Sequence, residues 1–378
     1  MKQKFMKYRI VLLLALVIAA LIYYNPGPIV PVEKVDIPSG VSIDLNSDAP
    51  DDQKNMLAMS TYTFNQKDKI HSFVVSGVGS TIPETRASRQ SKSNHKILVA
   101  LQKTLICSDE KCRSGINDIL DILFTNEYMN DMSWAVVCQG KAIDMLGQQV
   151  DDYPSSSDYI DGMIENCKEY YFFSNNYKIM DMYVRIGAEG RDLVLPYLIS
   201  RDDKLEIAGL ALFKGDKMVK EINLDEAKTM NMLRENKVKG LLEYQTDLNN
   251  YASIYGKASR KVSCTKSDGK YHFTINVNFK GSIISNTMQD LDNDPSNIHQ
   301  LEKQIAQQAQ QQCQDFVYKM QNEYRVDCLE LGRVACAKYG RDTGVDWNET
   351  ISNSDIKVNV TVTITASGRG NYAATNES

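Results

Sequence analysis

Four histidines, His71, His95, His272 and His299, eight cysteines and a run of three alternating aspartates are the residues here that could bind metal or act as acid, base or nucleophile. A zinc site wants two ligands within a helical turn or a CxxC knuckle; the histidines are scattered, with no HExxH and no Cys/His pair at such spacing. They read as surface or structural residues. Asp290, Asp292 and Asp294 imitate the first three ligands of a calcium loop. The sixth position, however, is Pro295 where the turn demands Gly, and the twelfth is Leu301 where a bidentate Glu belongs. That segment is read as an acidic lead into a helix, with Asp294 or Asn297 near its N-terminal dipole. There is no GxSxG elbow. Gly77-Val78-Gly79-Ser80 lacks the further Gly and the Lys of a phosphate loop and reads as a turn. Glu84 and Asp118 are acids that a hydrolase would have to bring together, but scattered carboxylates are usually solvated. No catalytic set, metal or cofactor is expected.

The cysteines stand at 107, 112, 138, 167, 264, 313, 328 and 336. Cys107 and Cys112 are close enough in sequence to pair across a short loop, residues 108–111, in an oxidising compartment. Buried free thiols packing as small hydrophobes would give the same pattern, so both readings stand.

Compartment is set by the start of the chain. Lys2, Lys4, Lys7 and Arg9 precede an apolar run over residues 10–24, the one stretch apolar enough for long enough to cross a bilayer. A helix over residues 8–24 would rise ~26 Å against a hydrocarbon core of ~30 Å, with Lys7 and Arg9 snorkelling at one side and the tyrosines at the other. Ile10, Leu13, Leu16, Ile18, Leu21, Tyr23 and Tyr24 are the expected anchor residues. The basic flank points to a cytoplasmic tail, residues 1–9, and an extracytoplasmic body. No small-residue cleavage pattern follows the run, and no cysteine directly after it could accept a lipid. The formal net charge is −5 even with four basic residues ahead of the anchor, so the body is acidic and nucleic acid is not an expected partner.

After a Pro-rich leash, residues 25–33, the body divides into elements. Residues 34–76 together with 170–245 are read as a first sheet domain and residues 77–169 as an inserted α/β domain. Residues 246–370 are read as a C-terminal α+β domain, and residues 371–378 as a disordered tail. The polar stretch 249–270 is taken as the main boundary. Within the insert, a strand is expected over 96–106 and a helix over 114–123 capped by Ser114. Lys214-Gly215-Asp216 predicts a tight hairpin between strands 205–213 and 217–222. Phe273, Ile275, Val277 and Phe279, and again Ile356, Val358, Val360, Val362 and Ile364, alternate with polar residues and predict strands with one wet face. Ile298, Leu301, Ile305, Ala309, Phe316 and Met320 share one side of a long helix that covers that sheet, with glutamines on much of the rest.

Several segments stand out as a set: TIPETRASRQ from Thr81, His95, SGINDILDILFTNEYMNDMSWAVVCQGKAIDML from Ser114 and GLALFKGDKMVKEINLDEAKTMNML from Gly209. YRVDCLELGRVACAKYG from Tyr324, Asp346-Trp347 and the closing strand to Gly368 complete it. Taken in this order over about residues 35–370, the set resembles the Ger(x)C spore germination proteins, the C subunits of nutrient germinant receptors. The resemblance implies an α+β fold of three α/β-type domains with mixed, mostly antiparallel sheets and no enzymatic activity. It also implies assembly with two integral-membrane receptor subunits in the inner membrane of the endospore. It assigns no ligand residues. Two departures are visible: the family's usual lipid-accepting cysteine is missing, and Thr125-Asn126-Glu127 stands where an Arg-rich pattern is usual. The function expected is that of a non-enzymatic, membrane-anchored receptor subunit acting in nutrient-triggered germination. The alternative is an exported, tethered protein that binds a small nutrient itself, marked by an enclosed pocket with converging polar groups.

Overall fold

The computed structural model describes residues 2–24, 31, 34–63, 70–126, 128–247, 249–288, 295–342 and 344–366. The leash, apart from Pro31, the C-terminal tail and the aspartates Asp290, Asp292 and Asp294 lie outside the described residues, as do Glu127 and Phe64. Residues 2–234 give α1 (Lys2–Tyr24), β1 (Val35–Asp36), β2 (Pro38–Leu45), β3 (Asn55–Thr63), β4 (His71–Gly79), α2 (Ile82–Gln90), β5 (Lys96–Ile97), β6 (Thr104–Ser108), α3 (Asp109–Ser114), α4 (Asn117–Thr125), β7 (Trp134–Cys138), α5 (Ala142–Gly147), α6 (Ser156–Tyr170), α7 (Ile179–Ile186), β8 (Val194–Arg201), β9 (Lys204–Lys214), β10 (Lys217–Asn223) and α8 (Leu224–Arg234). Then follow β11 (Val238–Asp247), β12 (Asn250–Ser267), β13 (Lys270–Asn286), α9 (Pro295–Lys319), α10 (Leu331–Tyr339), α11 (Trp347–Ser352) and β14 (Asp355–Ala366).

The first sheet has eight strands in the order β10-β9-β8-β7-β6-β2-β3-β4. Its centre, β2, β6, β7 and β8, is parallel and its flanks are antiparallel. β6 and β7 are buried along their whole length, which is why they read as unbroken apolar runs rather than as alternation. Leu105, Cys107, Ala135 and Val137 face one layer with Ile116, Ile119 and Leu123; Ile106, Trp134, Val136 and Cys138 face the other with Ile160 and Ile164. The second sheet runs β11-β12-β13-β14, with β13 and β14 parallel and in the register Phe273 opposite Ile356.

The fold is thus mixed α+β, but with two principal sheets and not three domains. Strands from the expected insert, β6 and β7, lie at the centre of the same sheet as β2 to β4 and β8 to β10, so residues 77–169 are no separate domain. The boundary also moves. Residues 249–270 are mostly one long central strand, β12, and the chain passes between sheets after α8, ahead of β11. β12 escapes a hydropathy reading because its buried positions include Ala252, Ala258 and Cys264, which are small.

Smaller differences have local causes. The strand expected over 96–106 is interrupted by a turn of 3₁₀ helix at Val99–Leu101. The helix expected from Ser114 is split, because Gly115 adopts φ +123 after α3 has ended at Ser114 and α4 restarts at Asn117. Residues 108–111 are no loop: Ser108 ends β6 and caps α3 by accepting from the Lys111 amide. All eight cysteines are free and buried; of the two readings left open for Cys107 and Cys112, the structure has both packing as small hydrophobes in one core layer. Gly77 and Gly79 belong to β4 and not to a turn.

Other expectations hold. The hairpin turns at Gly215 and Asp216. In α9, Leu301, Ile305, Ala309 and Phe316 are buried against the second sheet, as is Met320 in the turn that follows it. Two of its glutamines do more than face water. Gln310 accepts from the Val360 amide and Gln314 donates to the Ile356 carbonyl, which satisfies the otherwise bare edge of β14.

Residues 2–24 form the helix α1, and Ile10, Leu13, Leu16, Ile18, Leu21, Tyr23 and Tyr24 are all exposed on it. Among the described residues no helix is long and apolar enough to cross a membrane.

Candidate functional site at the junction of the two sheets

The scattered candidates stay apart. His95 Nδ1 lies 3.1 Å from Asp36, His272 Nδ1 2.9 Å from Asp355 and His299 Nδ1 2.9 Å from Glu302, so each serves a local pair. Glu84 accepts from the Ser80 amide and hydroxyl, and Asp118 from Lys111 Nζ. Among the described residues no three potential metal ligands converge.

What converges is a set of arginines that the sequence disperses over 150 positions. The last turn of α7 carries Arg185, α8 ends in Arg234, the connection between α7 and β8 carries Arg191, β12 carries Arg260 and the first turn of α10 carries Arg333. Four of them, all but Arg260, share Glu330 as partner. It stands just ahead of α10 in a left-handed conformation, φ +54, which turns its side chain back towards the first sheet. Oε1 accepts from Arg185 Nε and from Arg234 Nη2, each at 3.0 Å; Oε2 lies 3.5 Å from Arg191 Nε and 3.4 Å from Arg333 Nε. Glu330, Arg185 and Arg234 are 5%, 4% and 6% exposed, so these charges must be paired to be tolerated. Burial pushes the Glu330 carboxyl up, but Arg234, Arg185, Arg191 and Arg333 outweigh it and hold the group at about 2. Arg234 also donates to the Cys328 and Asp192 carbonyls, and its Nε stands 3.3 Å from Glu235 Oε1 as an ion pair without a hydrogen bond. Arg260 donates to the carbonyls of Leu233 and Leu329 and meets no carboxylate; burial lowers it to about 10.

The backbone fixes this cluster. Asp327, fully buried, accepts from the Leu331 and Gly332 amides and so sets the start of α10. Gly190 packs directly on Gly332, and Trp347 Nε1 donates to Glu189 at 2.9 Å. Around the arginines is a cleft of about 570 Å³, lined by Arg185, Arg191, Arg234, Arg260, Lys261 and Arg333 against the carboxylates Asp181, Glu235 and Glu330. Nothing in the sequence reading pointed here. The available signal was Glu330 itself, an acid between Leu329 and Leu331, which can enter an apolar run only with a cation in reach.

Asp327 and Glu330 make opposite contributions to stability against pH. Burial pushes Asp327 up to about 7 from an ordinary 3.8, so the folded state holds its proton more tightly and stability falls as pH rises from roughly 4 to 7. Glu330 is depressed, so its contribution is complete above about 4.5 and is lost as pH falls towards 2. Urea midpoints should therefore be higher near pH 5 than near pH 8, and should drop again below roughly pH 4. A midpoint at pH 8 equal to or above that at pH 5 would remove Asp327 from this role.

A second surface feature lies on the outer side of α4 and α7. Phe124 of α4 is 78% exposed and stacks edge-on against Tyr183 of α7 at 5.5 Å, with Met180 and Val184 of α7 also exposed. Single exposed apolar side chains are common, but several on two adjoining helices form a patch of the kind that meets another protein.

Two family descriptions match the chain: "Spore germination protein N-terminal domain" over residues 29–200 and "Spore germination B3/ GerAC like, C-terminal" over residues 208–368. The second begins within β9, so its first strands, β9 and β10, complete the first sheet. The spore germination protein GerQC of Bacillus cereus is 21% identical over 351 residues, covering 89% of this chain and 93% of that one. The putative spore germination protein YfkR of Bacillus subtilis (strain 168) is 26% identical over 238 residues, 59% and 60% of the two chains. The crystal structure of the GerBC protein shares the fold with a TM-score of 0.54 at 16% identity, covering 86% of this chain and 97% of that one. With both domain families matched in order across the two sheets, the chain belongs to the Ger(x)C family of spore germination proteins.

Proposed function

We propose that this protein is a non-enzymatic, membrane-anchored subunit of a nutrient germinant receptor, acting in spore germination by contact with integral-membrane partner subunits. The observation that carries the reading is the match of both germination-protein families, in order, over the two sheets. α1 supports the anchor: a basic start, then apolar side chains standing exposed from Ile10 to Leu21 among the described residues. The body would then sit outside the inner membrane of the endospore. The patch around Phe124 and Val184 offers the partner surface, since its side chains leave apolar area in water that a membrane subunit's exposed domain would cover.

Complementation tests this. In a strain lacking the gene and any redundant receptor, nutrient-triggered germination should be slow and be restored by the full chain. A chain starting after residue 33 should fail and be lost from spore membranes. Phe124→Ser with Val184→Ser should keep membrane association but reduce co-purification of the partner subunits. Germination at the normal rate without the gene would end the receptor reading, and retention of the truncated chain on membranes would end the anchor reading.

A further inference from the structure

The arginine cluster is larger than its counterions require. Six basic side chains line the cleft against three carboxylates. Two of those carboxylates are already committed inside the protein: Asp181 to Arg185 at 2.7 Å, and Glu235 to Arg234 at 3.3 Å and to Asn176 Nδ2 at 2.6 Å. Glu330 is shared by four guanidinium groups. Arg191 and Arg333 reach it only through Nε, and among the described residues their terminal nitrogens make no hydrogen bond or ion pair. Lys261 Nζ likewise has no partner among the described residues, and Arg260 is enclosed with only carbonyl acceptors.

Excess positive charge held in a concave, partly desolvated site attracts anions far more strongly than the same charge on an open surface. Guanidinium groups present paired donors whose geometry fits carboxylate and phosphate oxygens. The volume, about 570 Å³, is within the range of small-molecule sites.

We infer that the cleft between the two sheets binds a small oxyanion, held by the free donors of Arg191, Arg333 and Lys261 above the Glu330 cluster. Carboxylate metabolites and inorganic phosphate share this chemistry. Arg191 belongs to the first sheet's domain and Arg333 and Lys261 to the second, so a bound anion would tie the two together. The inference stands apart from the receptor reading: it concerns the isolated chain and is tested without germination.

The test is calorimetric titration of the full chain in mild detergent with succinate and, separately, with inorganic phosphate, ionic strength being held constant with chloride. Saturable binding with Kd of about 1 mM or tighter is expected for at least one probe. Arg191→Gln with Arg333→Gln should weaken it by roughly tenfold or more, since each lost charged hydrogen bond is worth that much. Lys261→Gln, at a residue that makes none of the ion pairs to Glu330, supplies a variant that leaves the buried pairs intact and should weaken binding on its own. Thermal unfolding of each variant close to that of the parent shows that the fold is kept. Succinate alone binding assigns a carboxylate ligand, phosphate alone a phosphoryl ligand, and both a general oxyanion site. No saturable heat with either probe, or binding unchanged in both variants, would overturn the proposal.

Discussion

Glu330→Gln is expected to destabilise the chain by about 3–5 kcal/mol, the range for removing one partner of a buried ionic cluster. Glutamine keeps the volume and one acceptor, so the loss reports charge and not a cavity. It leaves Arg185 and Arg234, both nearly inaccessible to water, facing an amide where they had shared a carboxylate oxygen at 3.0 Å. The contrast that decides the matter lies within the same cluster. Arg333 is half-exposed and meets Glu330 only at 3.4 Å, so Arg333→Gln should cost less than about 1 kcal/mol. The same small figure is expected for Glu169→Gln, whose pair with Lys239 is solvent-exposed on both sides. Because Glu330 joins α7 and α8 of the first domain to α10 of the second, its loss should also separate the two unfolding transitions in calorimetry. A Glu330→Gln variant within about 1 kcal/mol of the parent would show that Arg234 is satisfied by the carbonyls of Cys328 and Asp192, and Arg185 by Asp181, without the Glu330 charge.

The second domain was readable because its physics is local. Alternation in β13 and β14 follows from one face being wet, and the stripe on α9 from covering the other, so each element carries its own signature. The central strands β6 and β7 carry a weaker one, because burial on both faces erases the alternation that separates strand from helix. That is how the first sheet came to be divided into a sheet and an insert: the pairing of β2 with β6 joins residues about sixty apart, and nothing in either segment names its neighbour. The candidate site is the extreme case. Each arginine on its own helix or strand is indistinguishable from a solvated surface residue, and the feature that makes them a site is a single acid held at positive φ in another domain. The histidines, aspartates and cysteines, chosen for chemical type, turned out to be local pairs, undescribed or packed apolar; chemistry read from residue type fails where charge balance is set by topology.

Close approach of backbone at the junction leads to the other large effect. Gly190 has φ +73, and a Cβ there would lie 2.4 Å from the Gly332 carbonyl carbon and 2.6 Å from the Arg333 amide nitrogen. Those are main-chain atoms at the start of α10, held by Asp327, so no side chain can swing aside to make room. Gly190→Ala should therefore destabilise by roughly 2–5 kcal/mol, from left-handed strain together with overpacking. It should also move Arg191 and open the junction, read as new cleavage in limited proteolysis between α8 and β11. Gly162→Ala is the control. Gly162 lies within α6 at an ordinary φ with no neighbour within 4 Å of its Cβ position, and alanine there should stabilise by about 0.5–1 kcal/mol. Opposite signs from one substitution at two glycines would separate steric contact at the junction from any general effect of added methyl groups. A Gly190→Ala variant as stable as the parent would mean that the two domains part without loss, leaving the arginines and Glu330 to hold the junction by ion pairs alone.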